Sequence, residues 1–241
     1  LPGSLTQPFE PSASFVGLNK SAFSMSDQRL TREPLTFLNS LASLAILLAS
    51  ATTTQAGEYN PILDIGDKAP EWSKLPGVDG KNYSLSDFRK KEVLVVAFTC
   101  NSCPYAVDYE DRLVAFAKHY AATDSKVALV AINVNKVAED LPDEMAKRAK
   151  AKGFTFPYLF DESQEIAKEF GAGATPEFFV LNRDRKIVYM GAMDDSPNAK
   201  KVTRRYVEEA VAAALAGKQP EVKETVPIGC RIRFERRRRK R

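Results

Sequence analysis

Val93-Leu94-Val95-Val96-Ala97-Phe98-Thr99-Cys100-Asn101-Ser102-Cys103-Pro104-Tyr105 joins an apolar run to two cysteines and then to a helix-patterned stretch. Six residues without a polar side chain predict a strand covered on both faces. Two cysteines separated by two residues fall on the first turn of the following helix. There, free backbone N–H groups and the positive end of the helix dipole favour a thiolate. Such surroundings lower a cysteine pKa from about 8.5 into a range of about 3.5–7.5. The chemistry this predicts is thiol–disulfide exchange, in which the first cysteine, Cys100, at the exposed end of the turn, attacks as a thiolate of lowered pKa and the second, Cys103, one turn deeper, resolves the mixed disulfide.

Working outward, the chain alternates strand and helix signals. Trp72 to Tyr83 predicts a hairpin around Asp79-Gly80, and Ser84 to Phe88 a helical turn. Apolar positions from Val107 to Tyr120 predict a helix of about four turns. Lys126 to Val134 reads as a second buried strand. Leu141-Pro142-Asp143-Glu144 opens a helix that Gly153 stops, with acids near its positive end. Phe156 to Phe160, Glu177 to Leu181 and Lys186 to Gly191 read as further strands, the last two forming a hairpin through Asn182 to Arg185. Ser163 is expected to cap a helix ending before Gly171, and a final helix is expected from about Ala199 to Ala216. This order predicts an α/β fold with a mixed central sheet and helices on both faces.

The flanking regions differ from this core. Residues 1–24 show no sustained periodicity and read as a non-structural extension. Residues 25–56 carry an export pattern: Arg29 and Arg32, an apolar stretch from Leu35 to Ala49, and Thr54-Gln55-Ala56 before an expected cleavage. An uncleaved membrane anchor is the alternative. Residues 57–65 are expected to be an extended lead-in, 66–217 the folded domain, and 218–241 a basic tail. The 241-residue chain has a formal charge of +4, of which the last eleven residues supply +7, leaving −3 for the rest. The folded part is therefore not expected to bind nucleic acid. The basic tail is expected to be a solvated terminus, with a weak contact to anionic lipid or nucleic acid as the alternative.

The chain has three cysteines. Cys230 is the unpaired one. It is a candidate third redox partner, a candidate for a bond between chains, or a small buried hydrophobe.

The pair Cys100/Cys103 behind a buried strand, with Pro104 after it and Thr175-Pro176 ahead of a later strand, resembles the thioredoxin fold over roughly residues 66–216. Within that superfamily, Phe98-Thr99-Cys100-Asn101-Ser102-Cys103-Pro104-Tyr105 is similar to exported bacterial peroxiredoxin-like redoxins of the AhpC/TSA type. Glu144-Met145-Ala146-Lys147-Arg148, Phe156-Pro157-Tyr158-Leu159 and Gly191 to Ser196 fit the same resemblance. It implies Cys100 as attacking thiolate and Cys103 as resolving thiol. It further implies a cis Pro176 beside the dithiol, and a Thr175 backbone free to pair with an extended substrate segment. Protein thiols or disulfides are the expected substrates, with an unidentified electron donor and no bound cofactor.

Two departures matter. Thr99 replaces the usual aromatic residue, and Leu94 stands where thioredoxins place a buried acid. Glu71, Asp87, Asp108, Glu110 and Glu177 are the candidate substitutes for that base. The rival function is a peroxidase with Cys103 peroxidatic and Cys100 resolving, reducing peroxide. That chemistry needs a cation beside the thiolate. Peroxiredoxins supply an arginine where this chain reads Thr175-Pro176-Glu177-Phe178, so Arg112 or Arg183 would have to serve. Copper(I) handling on the two thiols and a redox-inert binding module are further alternatives. The sole histidine, His119, lies roughly 24 Å along the helix from Cys103 at about 1.5 Å per residue, so no metal site is expected.

Overall fold

The computed structural model describes residues 57–122 and 124–235. The expected extension, export segment and cleavage point lie outside these residues. The elements run β1 (Leu75–Pro76), β2 (Asn82–Tyr83), a 3-10 turn at Leu85–Phe88, β3 (Val93–Phe98), α1 (Pro104–His119), β4 (Val127–Asn133) and α2 (Pro142–Lys152). They continue with β5 (Tyr158–Phe160), α3 (Glu165–Glu169), β6 (Ala174–Thr175), β7 (Glu177–Leu181), β8 (Ile187–Gly191), α4 (Tyr206–Leu215) and β9 (Cys230–Arg231).

Five strands form the central sheet in the order β5-β4-β3-β7-β8. β3, β4 and β5 are parallel, while β7 runs antiparallel to β3 and β8 antiparallel to β7. The unbroken apolar run of β3 has the cause expected for it. Val93, Val95 and Ala97 pack with Tyr109 and Leu113 of α1, Met145 of α2 and Val207 of α4. Leu94, Val96 and Phe98 pack on the opposite face with Trp72, Leu85, Ile166 and Phe170. Leu94 is thus a core residue, and no acid occupies its place.

Four expectations are corrected. The last helix begins at Tyr206: the expected start at Ala199–Lys201 forms only a 3-10 turn capped by Asn198, and residues 202–205 break from it along Asp195. The Asp195 amide donates to the Arg204 carbonyl, and the Asp195 carboxylate accepts from the Thr203 amide at 2.9 Å. Val202 and Thr203, both β-branched, have little preference for helix to oppose this. Residues 57–65 form a closed turn: the Gly57 amide donates to the Leu63 carbonyl, and Asn60 Oδ1 accepts from the amides of Ile62 and Leu63. The region after residue 217 is also not a free tail through residue 235. It crosses the edge of β8, where the amides of Met190 and Thr225 donate to the carbonyls of Lys223 and Met190, and returns to the centre as β9, paired with β6. Gly191 permits the crossing, since a Cβ there would lie 2.2 Å from the Thr225 carbonyl oxygen. In α3 the cap position belongs to Gln164, although Ser163 Oγ still accepts from the Glu165 amide at 3.1 Å.

Candidate active site: two thiols, a turn and a returning strand

The register of the sheet assembles the site. Phe98, the last residue of β3, lies opposite Glu177, the first of β7, so the residues beyond them meet at the same end. Cys100 follows β3, and Thr175 precedes β7. Their side chains touch, with Cys100 Sγ 3.3 Å from Thr175 Oγ1. Cys103 is the N-cap residue of α1, and its Sγ lies 3.1 Å from the Thr175 carbonyl oxygen. The Thr175–Pro176 peptide bond is cis, as the resemblance implied.

Parallel strands carry their following loops to the same end of a sheet. The loop after β4 accordingly brings Asp140, fully buried, beneath the turn between the cysteines. Asp140 Oδ1 accepts from the amides of Asn101 and Ser102 at 2.7 and 2.8 Å, and Oδ2 from Ser102 Oγ at 2.6 Å. Asn101 is held further by the Glu139 carbonyl and by the Tyr158 hydroxyl. Both residues between the cysteines are therefore fixed by one buried carboxylate and its neighbours. The sequence offered no cue to Asp140, because nothing in a 3-10 turn 40 residues downstream marks it as a partner of this loop.

The five carboxylates named as candidate bases are otherwise engaged or exposed. Asp87 caps the 3-10 turn through the Ser84 amide, and Glu110 pairs with Arg148 and Lys152. Glu71 and Asp108 are exposed. Glu177 is buried beside Thr175, but its Oε2 accepts from the amides of Gly173 and Ala174 at 2.8 and 3.0 Å, bracing the turn that carries Thr175. Burial pushes the Glu177 carboxyl up to about 7 against the pull of those amides, with the Glu224 charge adding to the rise.

The two sulfurs are not equivalent, and neither is exposed: Cys100 is 2% and Cys103 3% accessible. The Cys100 thiol, donating to Cys103, draws the Cys103 pKa down; burial opposes this, and the Cys230 thiol and the amides of Ala106 and Cys230 reinforce it. The Thr175 carbonyl works the other way, since it accepts from a thiol and repels a thiolate. Two thiols and two amides outweigh one carbonyl. Donation to Cys103 raises the Cys100 pKa, and burial and the Asp140 charge raise it further. The lowered pKa expected for Cys100 thus falls at Cys103.

The Thr175 backbone is not free. It pairs with Cys230 in β9, antiparallel, while Ala174 pairs with Arg231. Cys230 packs against Cys100, Cys103 and Ala106. The edge expected to receive substrate is therefore covered by this chain's own strand.

Neither candidate cation reaches the sulfurs. Arg112 Nη1 lies 2.6 Å from Asp194 Oδ2, its guanidinium also donates to the carbonyls of Ser196 and Pro197, and it stacks on Tyr109. Arg183 is exposed in the turn after β7, whose final residue Leu181 pairs with Leu94 near the start of β3, at the far end from Cys100. His119 ends α1, with its ring edge against Tyr120. Among the described residues no group of His, Cys, Asp and Glu is arranged to hold a metal ion.

A family model described as redoxin matches residues 64–207. A Mycobacterium tuberculosis protein named "Putative peroxiredoxin" is 32% identical over 139 residues, covering 51% of this chain and 81% of its own. The thiol-disulfide oxidoreductase ResA of Geobacillus thermodenitrificans is 24% identical over 162 residues, 66% of this chain and 85% of its own. A crystal structure of a hypothetical protein from Sinorhizobium meliloti superposes with a TM-score of 0.68 at 37% identity, covering 73% of this chain and 97% of that one.

Proposed function

The chain belongs to the redoxin family, and from that premise we propose that it is a thiol–disulfide oxidoreductase in which Cys103 attacks and Cys100 resolves. An oxidoreductase activity of some kind follows from the family and its relatives. The observation that carries the finer reading is the convergence of donors on Cys103 Sγ at the start of α1, with a second thiol beside it.

The reaction is a pair of exchanges. The Cys103 thiolate attacks a disulfide R–S–S–R′, forming Cys103–S–R and releasing R′S⁻, which takes up a proton. Cys100 then gives up its proton and attacks Cys103 Sγ, forming the Cys100–Cys103 bond and releasing RS⁻. The substrate disulfide is reduced as the dithiol is oxidised, and the reverse sequence oxidises a substrate dithiol. Thr175 Oγ1, 3.3 Å from Cys100 Sγ, is placed to donate to the Cys100 thiolate as it forms; the Ser102 hydroxyl already donates its proton to Asp140. Asp140 holds the intervening turn so that the two sulfurs stay in reach. The substrates proposed are exported protein thiols and disulfides, on the strength of the export pattern in residues 25–56.

Peroxide reduction by the same two sulfurs is the second reading. The lowered pKa of Cys103 and the peroxiredoxin-named relative favour it, whereas the engagement of Arg112 with Asp194 leaves that guanidinium unable to polarise a peroxide.

Insulin reduction and peroxide consumption, measured on wild type, Cys103→Ser and Cys100→Ser with dithiothreitol as donor, separate these readings. The expected result is disulfide reduction by wild type, its abolition in Cys103→Ser, and a trapped mixed disulfide on Cys103 in Cys100→Ser. Retained turnover in Cys103→Ser would reverse the roles. Peroxide turnover without insulin reduction would favour the peroxidase.

A further inference from the structure

Cys103 packs with two thiols: Cys100 from its own turn, and Cys230 from the returning strand β9. β9 occupies the place of an extended substrate, paired through Thr175 and Ala174. Its position is specific. Gly229 packs so closely on the turn that a Cβ there would lie 2.2 Å from the Thr175 carbonyl oxygen and 3.0 Å from the Pro176 nitrogen. Beyond the strand, the Ile232 amide donates to the Gly173 carbonyl at 2.9 Å, and the Ile232 side chain is buried. Two buried amide side chains then hold the backbone: Asn135 Oδ1 accepts from the Arg233 amide, while Gln164 donates to the Arg233 carbonyl and accepts from the Glu235 amide. Backbone pairing alone would hold the strand with any side chain at position 230. The residue placed there is a cysteine whose side chain lies on the two site sulfurs.

We propose that Cys230 is a second resolving thiol, so that Cys103 is the common centre of two internal disulfides, Cys100–Cys103 and Cys103–Cys230. The proposal rests on the reading of Cys103 as the reactive sulfur. Cys230 acts in either of two balanced steps. It loses its proton and attacks Cys103 in the mixed disulfide Cys103–S–R, so that the Cys103–Cys230 bond forms and RS⁻ leaves. Alternatively, it attacks Cys103 of the Cys100–Cys103 bond, so that Cys100 leaves as a thiolate beside the Thr175 hydroxyl and takes up a proton. The second step is an isomerisation and needs no oxidant. Its consequence is to move the disulfide from two buried sulfurs to one that includes the half-buried Cys230, where an external thiol donor can reach it. A protein substrate that pairs with Thr175 must displace β9, so the strand also competes for the substrate edge.

The experiment is disulfide mapping by mass spectrometry after oxidation with diamide and alkylation under acid quench. Oxidised Cys100→Ser is expected to yield the Cys103–Cys230 cross-linked peptide. Wild type under substoichiometric diamide is expected to yield both internal disulfides, and Cys230→Ser only Cys100–Cys103. Gly229→Ala, which keeps all three cysteines but drives β9 off the turn, is expected to lose the Cys103–Cys230 peptide and keep Cys100–Cys103. The proposal is overturned if neither wild type nor Cys100→Ser gives a Cys103–Cys230 peptide while wild type forms Cys100–Cys103 normally. Failure of wild type to form Cys100–Cys103 at all sinks the dithiol reading instead, and the two failures are read from different peptides.

Discussion

The central sheet and the strap formed by residues 218–235 are held by different forces. In the sheet, every residue of β3, β5, β7 and β8 is buried, and the layers interlock through aromatic edges such as Phe98, Phe170 and Phe179, whose ring centroids lie 5.0–5.8 Å apart. In the strap few side chains are buried, and the contacts are hydrogen bonds from single polar groups: Glu224 accepts from the amides of Glu58, Tyr59 and Asn60, and Thr225 Oγ1 from the Ala192 amide. Apolar burial contributes about 1.5–3 kcal/mol per large side chain. A net hydrogen bond contributes about 0.5–1.5 kcal/mol. The sheet should therefore set global stability, while the strap opens locally and brings a cysteine to the site when closed. The site lies where the two meet.

The largest effect should come from the sheet. Phe179→Ala removes a fully buried ring in contact with Phe98 and Phe170, and a loss of about 3–5 kcal/mol is expected in urea unfolding. A much smaller loss would mean that the sheet does not dominate as argued.

Glu177 tests the seam between the regions. Its carboxyl, ordinarily near 4.5, is pushed up to about 7 by burial. Between those values the unfolded chain is ionised while the folded chain still holds the proton. The group's stabilising contribution is therefore complete below about 4.5 and is lost as pH rises through about 7. Glu177→Gln, whose amide oxygen can still accept from Gly173 and Ala174, should remove a pH-dependent decline of at most about 3 kcal/mol. Urea unfolding of both proteins at about pH 5 and about pH 8 measures it; parallel declines would show that Glu177 is not the titrating group.

The sheet was legible in the sequence because its signals are local. Val93 to Phe98 is a continuous apolar run, Gly153 stops α2 at a φ of 68°, and Asp79-Gly80 closes the β1–β2 hairpin. The cysteine pair was legible for the same reason. What the sequence concealed are partnerships between distant residues. Asp140 is linked to its loop across 38 and 39 positions, and Glu224 to the amides it accepts from across 164–166. Residues 218–235 have neither apolar periodicity nor a long run, so their composition pointed to a solvated tail. Their order comes from a few polar side chains elsewhere that satisfy their backbone.

Asp140 should have a smaller effect on stability and a sharper one on chemistry. Asp140→Asn keeps an oxygen for the Asn101 and Ser102 amides but removes the charge that helps raise the Cys100 pKa. A loss of about 1.5–3 kcal/mol is expected, because the lost bonds are charge-assisted. The Cys100 thiol should titrate at lower pH, read from thiolate absorbance in Cys103→Ser backgrounds with and without the substitution. An unchanged titration would remove Asp140 from the electrostatics of the dithiol and leave it a purely structural clamp.

The smallest global effect, and the most direct test of separability, lies in the strap. Thr225 Oγ1 accepts from the Ala192 amide at 2.9 Å and lies 2.8 Å from the Tyr189 hydroxyl. Thr225→Val keeps the shape and removes both bonds, for an expected cost of about 1–2 kcal/mol. If the strap is its own cooperative unit, hydrogen exchange should accelerate at the amides of Thr225 and Ile232, which donate to Met190 and Gly173, with those of Val95 and Val96 inside β3 unchanged. Acceleration in β3 to the same degree would mean that strap and sheet open together, and that β9 cannot leave the Thr175 edge for a substrate without unfolding the domain.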